Sequence, residues 1–104
     1  MMVVLIPLDH EELYHYFALD EASVMIGRCH DAGVHLADPE VSRRHCEVSQ
    51  LDGSLVVRDL GSSNGTFVNG SRVAEAILKP GDELTVGKTR FEVQCESSPV
   101  AAWA

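Results

Sequence analysis

The chain has 104 residues, which suits a single domain large enough to bury a hydrophobic core without disulfide or metal support. Hydrophobic residues make up 45% of the sequence, as in soluble globular proteins, and no apolar run approaches the roughly 18 residues that span a bilayer. A net charge of −8 disfavours nucleic acid and anionic membranes as partners.

The cysteine content favours a reducing compartment. The chain has three cysteines, Cys29, Cys46 and Cys95, and an odd number argues against a disulfide framework. Residues 1–6 are apolar but have no basic segment and no small-residue cleavage site, so we interpret them as a strand rather than a signal peptide. We therefore expect a cytoplasmic protein.

Short apolar or alternating runs, typical of β-strands, recur along the chain. Strands are predicted at residues 3–8, 14–19, 24–26, 34–36, 46–49, 55–60, 67–68, 72–73, 83–86 and 91–95. Residues 9–12 link the first two strands. The only helical candidate, residues 74–77, is too short to be stable alone.

Turn sequences separate these runs. Asp52-Gly53 and Asn69-Gly70 are typical of two-residue hairpins that need positive φ twice. Residues 79–82, Lys-Pro-Gly-Asp, are typical of a type II turn. Many short strands joined by such turns predict an all-β antiparallel sandwich or barrel. We expect one domain at residues 1–96 and a short tail at residues 97–104.

Three polar clusters interrupt the strand pattern where predicted strands end. They are Gly27-Arg28, residues 42–45 (Ser-Arg-Arg-His), and residues 62–66 (Ser-Ser-Asn-Gly-Thr) followed by Asn69-Gly70. Arginine, hydroxyl and amide groups are suited to holding a phosphate dianion and a peptide backbone. The clusters therefore favour a phosphopeptide-binding module over an enzyme. From charge alone, ordinary surface arginines explain the pattern equally well.

The order and spacing of these clusters resemble the forkhead-associated (FHA) domain. The matching segments are Val-Met-Ile-Gly-Arg at 24–28, Val-Ser-Arg-Arg-His at 41–45, and Asp-Leu-Gly-Ser-Ser-Asn-Gly-Thr-Phe-Val-Asn-Gly at 59–70. Residues 78–82 and Val86-Gly87 also fit, so the resemblance covers roughly residues 2–95. It implies a SMAD/FHA-like sandwich of about eleven strands. Loops at one end of that sandwich would bind phosphothreonine.

The resemblance also implies roles for individual residues. Arg28 resembles the family's phosphate-binding arginine, and Ser42 resembles the hydroxyl that donates to another phosphate oxygen. Arg43 occupies a position that often adds a phosphate contact. Ser63 resembles the residue that helps close the phosphothreonine pocket, and Asn64 resembles the asparagine that bonds the peptide main chain.

A second set of matching residues is expected to be structural. By resemblance, His45 and Asn69 support the binding loops, and Gly27, Gly65 and Gly70 meet backbone demands there. Arg44 is interpreted as a solvated charge or a minor contributor to the local potential. Glu40, two residues before Ser42, is a candidate for reading the third residue after the phosphothreonine. It would favour a basic or neutral residue there.

The expected function is that of a non-catalytic signalling adaptor that needs no cofactor and no metal. Its partner would be a threonine-phosphorylated protein, either a Ser/Thr kinase or a kinase substrate, with no nucleic acid or membrane contact. The oligomeric state is open. The alternative is a phosphate-independent interaction or self-association domain on the same sandwich, because exposed edge strands can pair.

Two other classes of function have weaker support. An enzyme would use Cys46 beside His45, or Cys29 with His30 and His35, as nucleophile and base. The first pair is disfavoured because neighbouring strand residues point to opposite faces, and no Gly-x-Ser-x-Gly or metal-binding helix motif is present. A metal site built from Cys29, His30 and His35 lacks a fourth ligand and the usual spacing.

Overall fold

The computed structural model describes residues 1–8, 15–19 and 23–96 and contains eleven β-strands. In chain order the strands are β1 Met2–Pro7, β2 His15–Ala18, β3 Val24–Gly27, β4 Val34–His35, β5 Cys46–Leu51, β6 Ser54–Asp59, β7 Thr66–Val68, β8 Ser71–Val73, β9 Glu75–Leu78, β10 Glu83–Val86 and β11 Thr89–Glu96. Within the described residues no helix is long and apolar enough to cross a membrane. The predicted link at residues 9–12 and the tail at 97–104 lie outside the described residues.

The strands form two sheets. The first has six strands in the order β2-β1-β11-β10-β7-β8, and the second has five in the order β4-β3-β5-β6-β9. All neighbours are antiparallel except β3 and β4, which pair in parallel. β1 pairs with β11 from Met2 opposite Glu96 to Pro7 opposite Phe91, so the two ends of the described chain are joined. The predicted all-β sandwich is confirmed.

The core lies between the two sheets and follows the alternation of the strands. In β11, Phe91 and Val93 are fully buried while the residues between and beside them are not, and β10 buries Leu84 and Val86. β6 from the other sheet buries Leu55 and Val57 in the same cluster. Burying one face of each sheet in this way provides the main stabilising term of a sandwich.

The predicted hairpins are confirmed in detail. Asp52 and Gly53 have φ of 52° and 79°, and Asn69 and Gly70 have φ of 50° and 84°, as a two-residue turn of this kind requires. In the turn at residues 79–82, Gly81 has φ of 91° and the Asp82 N–H bonds the Lys79 carbonyl at 3.0 Å. These turns fix the register of the strands that they join.

One strand was not predicted. Residues 75–78, which overlap the short helical candidate, form β9 and pair with β6 from Leu55 opposite Leu78 to Arg58 opposite Glu75. Ala and Glu favour helix locally, but pairing with a distant strand overrides a weak local preference. The two-residue strand β4 is also shorter than the predicted residues 34–36.

Candidate phosphopeptide-binding site

Three loops meet at one end of the sandwich. The first loop (residues 28–33) follows β3, the second loop (residues 36–45) follows β4, and the third loop (residues 60–65) follows β6. Main-chain hydrogen bonds join them: Arg28 N to Ser42 O at 3.0 Å, Cys29 N to Arg43 O at 3.1 Å, and Leu60 N to His45 O at 2.9 Å. The polar clusters of the sequence are therefore brought together by the backbone itself.

A pocket of about 310 Å3 opens between these loops. Its lining consists of Arg28, Pro39, Glu40, Val41, Ser42, Arg43, Ser63 and Asn64. Every residue expected to contact phosphothreonine lines this one pocket, together with Glu40. Residues up to 36 positions apart in sequence thus present their side chains to one small volume, from Arg28 to Asn64.

Arg28 is held by one end of its guanidinium. Its Nε donates a 3.0 Å hydrogen bond to the Val41 carbonyl, and its side chain is exposed. No described residue bonds its two terminal amino groups. A guanidinium fixed in this way retains forked donors that match the oxygens of a phosphate.

Ser42 and Ser63 are joined by a hydrogen bond in which the Ser63 N–H donates to Ser42 Oγ at 3.0 Å. The Ser42 hydroxyl thus acts as an acceptor toward the third loop. Its own proton remains available for donation into the pocket. The side chain of Arg43 is exposed at the pocket rim and has no ion-pair partner among the described residues.

Asn64 is anchored to the second loop. Its Nδ2 donates to the Glu40 carbonyl at 2.8 Å, and the Glu40 N–H in turn donates to Asp38 Oδ1 at 2.9 Å. The other carboxylate oxygen of Asp38 accepts the Lys88 N–H at 2.8 Å. Burial would raise the pKa of Asp38, but these N–H groups and the Lys88 charge outweigh it and the pKa is lowered. Asn64 therefore keeps an amide oxygen and a second N–H for a ligand.

His45 lies beneath the pocket and connects two loops. Its ring is fully buried, its Nδ1 accepts the Ser42 N–H at 3.0 Å, and its Nε2 lies 2.8 Å from the Gly65 carbonyl. These partners require a neutral ring protonated at Nε2, because Nδ1 must accept and Nε2 must donate. The ring holds the third loop at a fixed distance from Ser42.

Two glycines make close approaches possible at this end of the sandwich. A Cβ on Gly27 would lie 2.2 Å from the Arg43 carbonyl oxygen. Gly65 has φ of 92°, and a Cβ there would lie 2.7 Å from Arg72 Nε. Only glycine fits either position without a shift of the neighbouring atoms.

Asn69 and Gly70 lie in the turn between β7 and β8, where Gly70 has the positive φ that was expected of it. Asn69 bonds Asp82 through Nδ2 at 3.1 Å and accepts the Glu83 N–H at 2.9 Å. These contacts lie at the end of β7 opposite the third loop, and Gly70 is in the same turn. Asn69 therefore ties the turn between β7 and β8 to residues 82–83. The family motif is contiguous in sequence, but β7 separates its two halves in space.

Sequence reasoning missed Asp59 as the organiser of the third loop. Its Oδ2 accepts the N–H groups of Gly61 and Ser62, each at 3.0 Å, and its Oδ1 accepts the hydroxyls of Ser62 and Thr66. Burial alone would raise the pKa of Asp59, but these hydrogen bonds outweigh it and the pKa is lowered. The signal was present: an Asp at a strand end, followed at short spacing by Ser, is typical of a side-chain-capped turn.

The thiol of Cys46 is unsuited to nucleophilic attack. It is fully buried, and burial raises its pKa to about 12, opposite to the shift that activates a cysteine. The rings of His30 and His35 lie 5.4 Å apart, and His35 Nε2 is 3.1 Å from the Arg28 carbonyl oxygen. In the part of the chain that the structure describes, no three His, Cys, Asp or Glu side chains are grouped to hold a metal.

Comparison with known proteins matches the chain to one family. The FHA domain family model matches residues 24–87, which contain all three loops. A glycogen accumulation regulator, GarA, from Mycolicibacterium smegmatis is 45% identical over 75 residues, covering 72% of this chain and 48% of that protein. An oxoglutarate dehydrogenase inhibitor from Corynebacterium diphtheriae is 43% identical over 75 residues, covering 72% and 52%. The chain thus spans about half the length of the curated relatives that it matches.

Solved structures agree. A domain from a structural and functional analysis of phosphothreonine-dependent FHA domain interactions is 35% identical, with a TM-score of 0.82, covering 92% of this chain and 98% of its own. Mycobacterium tuberculosis EmbR, solved with a low-affinity phosphopeptide, is 28% identical with a TM-score of 0.82, covering 93% of this chain and 25% of EmbR. The chain belongs to the FHA domain family.

Proposed function

We propose that this FHA domain binds phosphothreonine in partner proteins and acts as a non-catalytic adaptor. The observation that carries the proposal is the pocket at the loop end, where Arg28, Ser42, Arg43, Ser63 and Asn64 converge. Cationic and hydroxyl donors at one point, with an amide beside them, suit a phosphate and the peptide main chain that carries it.

Each side chain has a role in this proposal. Arg28 binds the phosphate through its two terminal amino groups, and Ser42 donates its hydroxyl proton to another phosphate oxygen. Arg43 adds charge at the rim, and Ser63 closes the pocket. Asn64 uses its amide oxygen and its second N–H on the peptide backbone while its first N–H stays on Glu40.

Selectivity for threonine over serine requires an apolar contact to the threonine methyl group. Pro39 lines the pocket and supplies exposed apolar surface for that contact. Burying one methyl group contributes about 0.8 kcal/mol, or roughly fourfold in affinity.

The biological partner in this proposal is a threonine-phosphorylated protein, either a Ser/Thr kinase or its substrate. The relatives named as a glycogen accumulation regulator and an oxoglutarate dehydrogenase inhibitor support a regulatory role. Three free thiols and a net charge of −8 support a cytoplasmic location and a protein partner rather than a nucleic acid or membrane.

Glu40 is proposed to read a flanking residue of the peptide. Its side chain is exposed at the pocket, while its main chain is used by Asp38 and Asn64. A carboxylate placed there favours a basic or neutral residue three positions after the phosphothreonine. Glu40→Arg should shift the preference toward acidic residues at that position in a peptide array, and an unchanged preference would rule Glu40 out.

The proposal is tested with a degenerate phosphothreonine peptide library, screened beside its phosphoserine and unphosphorylated counterparts. We expect binding to the phosphothreonine set and little or none to the others. If the folded protein binds no set, or binds all sets alike, the phosphate role is wrong and the sandwich makes phosphate-independent contacts.

A further inference from the structure

Arg72 lies against the third loop although it is distant from the binding motif. It is an exposed residue of β8, opposite Phe67 in the pairing with β7. A Cβ placed on Gly65 would lie 2.7 Å from Arg72 Nε and 3.1 Å from both its Cδ and Cζ. The guanidinium therefore occupies the space that a side chain at position 65 would fill. Gly65 is the residue directly after Asn64.

No described group satisfies the charge of Arg72. The N–H of Gly65 donates to Ser62 Oγ, and its carbonyl accepts from His45, so the loop does not need Arg72 for its hydrogen bonds. Arg72 has no hydrogen bond or ion pair to any described residue. By contrast, Arg58 is paired with Glu47, and Arg90 lies 3.5 Å from Glu83.

Arg72 is unpaired within the described part of the chain, although acidic side chains are abundant in the sequence. The chain has 16 acidic and 8 basic residues, and the arginines away from the loops have glutamate partners. An arginine that packs on the loop backbone with its donors unused is positioned to bind an external anion. The glycine at position 65 permits that placement.

We propose that Arg72 forms a second anion-binding position beside the pocket and selects peptides that carry an acidic or phosphorylated side chain near the phosphothreonine. The inference rests on the proposed function of the pocket. Asn64 is followed directly by Gly65, against which Arg72 packs. The Arg72 guanidinium therefore lies beside the residue that is proposed to bind the peptide main chain. The preferred partner therefore has a polarised sequence, with an acidic or phosphorylated residue on the Arg72 side of the phosphothreonine.

The experiment measures how affinity depends on one flanking charge. Phosphothreonine peptides carry a single Glu, Gln or phosphoserine at each flanking position in turn, and each is titrated against the wild type, Arg72→Gln and Arg58→Gln. Arg72→Gln keeps a long polar side chain and removes the charge, and Arg58→Gln makes the same change away from the loops. Thermal unfolding of each variant confirms that it is folded.

At one flanking position the wild type should prefer Glu over Gln by about 2- to 5-fold, as for an exposed ion pair. The peptide with phosphoserine at that position should bind about tenfold more tightly than the peptide with Gln, because a phosphate gives stronger charge-assisted hydrogen bonds. Both ratios should fall to one or below in Arg72→Gln and remain in Arg58→Gln.

Three outcomes separate the claims. If the ratios persist in Arg72→Gln, or if the wild type shows no acidic preference at any position, the role of Arg72 is overturned while the pocket stands. If no phosphothreonine peptide binds the wild type at all, the proposed function itself fails. A response to phosphoserine but not to Glu would restrict the position to doubly phosphorylated partners and would support the inference in that form.

Discussion

At the scale of single residues, the pocket depends on side chains that are already fixed before a ligand arrives. Arg28 is held by Val41, Asn64 by Glu40, and Ser42 by Ser63. Ordering these groups in advance lowers the entropy lost when a peptide binds. Substitutions that break an anchor should therefore weaken binding even when the residue that contacts the ligand is kept.

Asn64→Asp tests the anchoring of the amide. The change removes the donor to the Glu40 carbonyl, 2.8 Å away, and places a carboxylate beside the proposed phosphate. We expect phosphopeptide affinity to fall by about 1–3 kcal/mol, with little loss of stability because the residue is exposed. Gln50→Glu, the same amide-to-acid change on an exposed part of β5, is the matched control. Equal affinities for Asn64→Asp and the wild type would contradict the role of Asn64.

Gly27→Ala tests the close approach of the first and second loops. The added methyl group would lie 2.2 Å from the Arg43 carbonyl oxygen and would push the loops apart. We expect a loss of stability of about 1–3 kcal/mol. We also expect the molecules that remain folded to bind the peptide more weakly than the wild type does.

Gly53→Ala is the control for that change. Gly53 has φ of 79° and no atom near its added Cβ, so alanine there should cost about 1–2 kcal/mol from backbone strain alone. Urea unfolding measures the stability of both variants, and peptide titration measures their affinity for the peptide. Unaltered peptide affinity in Gly27→Ala would show that loop spacing does not control the pocket.

At the scale of the elements, the third loop is a unit organised by one carboxylate. Asp59 accepts hydrogen bonds from Gly61, Ser62 and Thr66, and His45 holds the other end of the loop at Gly65. Because the pKa of Asp59 is lowered in the folded protein, its ionised form stabilises the fold above the pKa of an unfolded Asp, near 3.9.

Asp59→Asn should therefore destabilise the domain in a pH-dependent way. At neutral pH we expect a loss of about 1–3 kcal/mol, since an amide cannot accept all of these hydrogen bonds. The wild-type advantage should shrink from about pH 5 downward and disappear once the pH falls below the lowered pKa of Asp59. Urea unfolding at several pH values measures the difference in stability between the wild type and Asp59→Asn. Asp52→Asn, in an exposed turn, is the control. A difference that does not vary with pH would refute this account of the loop.

Local sequence signals were sufficient for much of the fold, and their failures have physical causes. The Asp52-Gly53 and Asn69-Gly70 turns were predictable because positive φ at both positions strongly restricts the residue type. β9 was missed because its partner β6 lies about 20 residues earlier, and local propensity carries no information on such pairing. The polar clusters indicated the pocket because their residue types suit a phosphate. The packing of Arg72 on Gly65 could be found only in three dimensions, because it depends on how β8 lies against the third loop.

At the scale of the whole molecule, an acidic domain keeps a basic pocket at one end. The net charge of −8 repels anions at long range, whereas Arg28 and Arg43 attract a phosphate at short range. Salt screens both interactions, but the specific contacts dominate the affinity of a phosphate held in the pocket.

Phosphopeptide affinity should consequently fall as salt rises and as the pH drops through about 6, where a phosphate takes up its second proton. Between pH 7 and pH 5.5 we expect affinity to fall by about fourfold, following the dianion fraction. Calorimetric titration at several pH values gives the profile, and unfolding at the same pH values serves as the control for folding. Affinity that is independent of both salt and pH would contradict recognition of a phosphate dianion.

The most direct test of the central claim is a calorimetric titration of the wild type, Arg28→Ala and Arg58→Ala with one phosphothreonine peptide and its unphosphorylated form. We predict that only the phosphorylated peptide binds and that Arg28→Ala costs roughly 2–5 kcal/mol, as expected for a desolvated charge contact. Arg58→Ala, which removes an arginine paired with Glu47 away from the loops, should bind as the wild type does. A loss below about 0.5 kcal/mol in folded Arg28→Ala, within the range of an ordinary surface substitution, would contradict the assignment of this pocket.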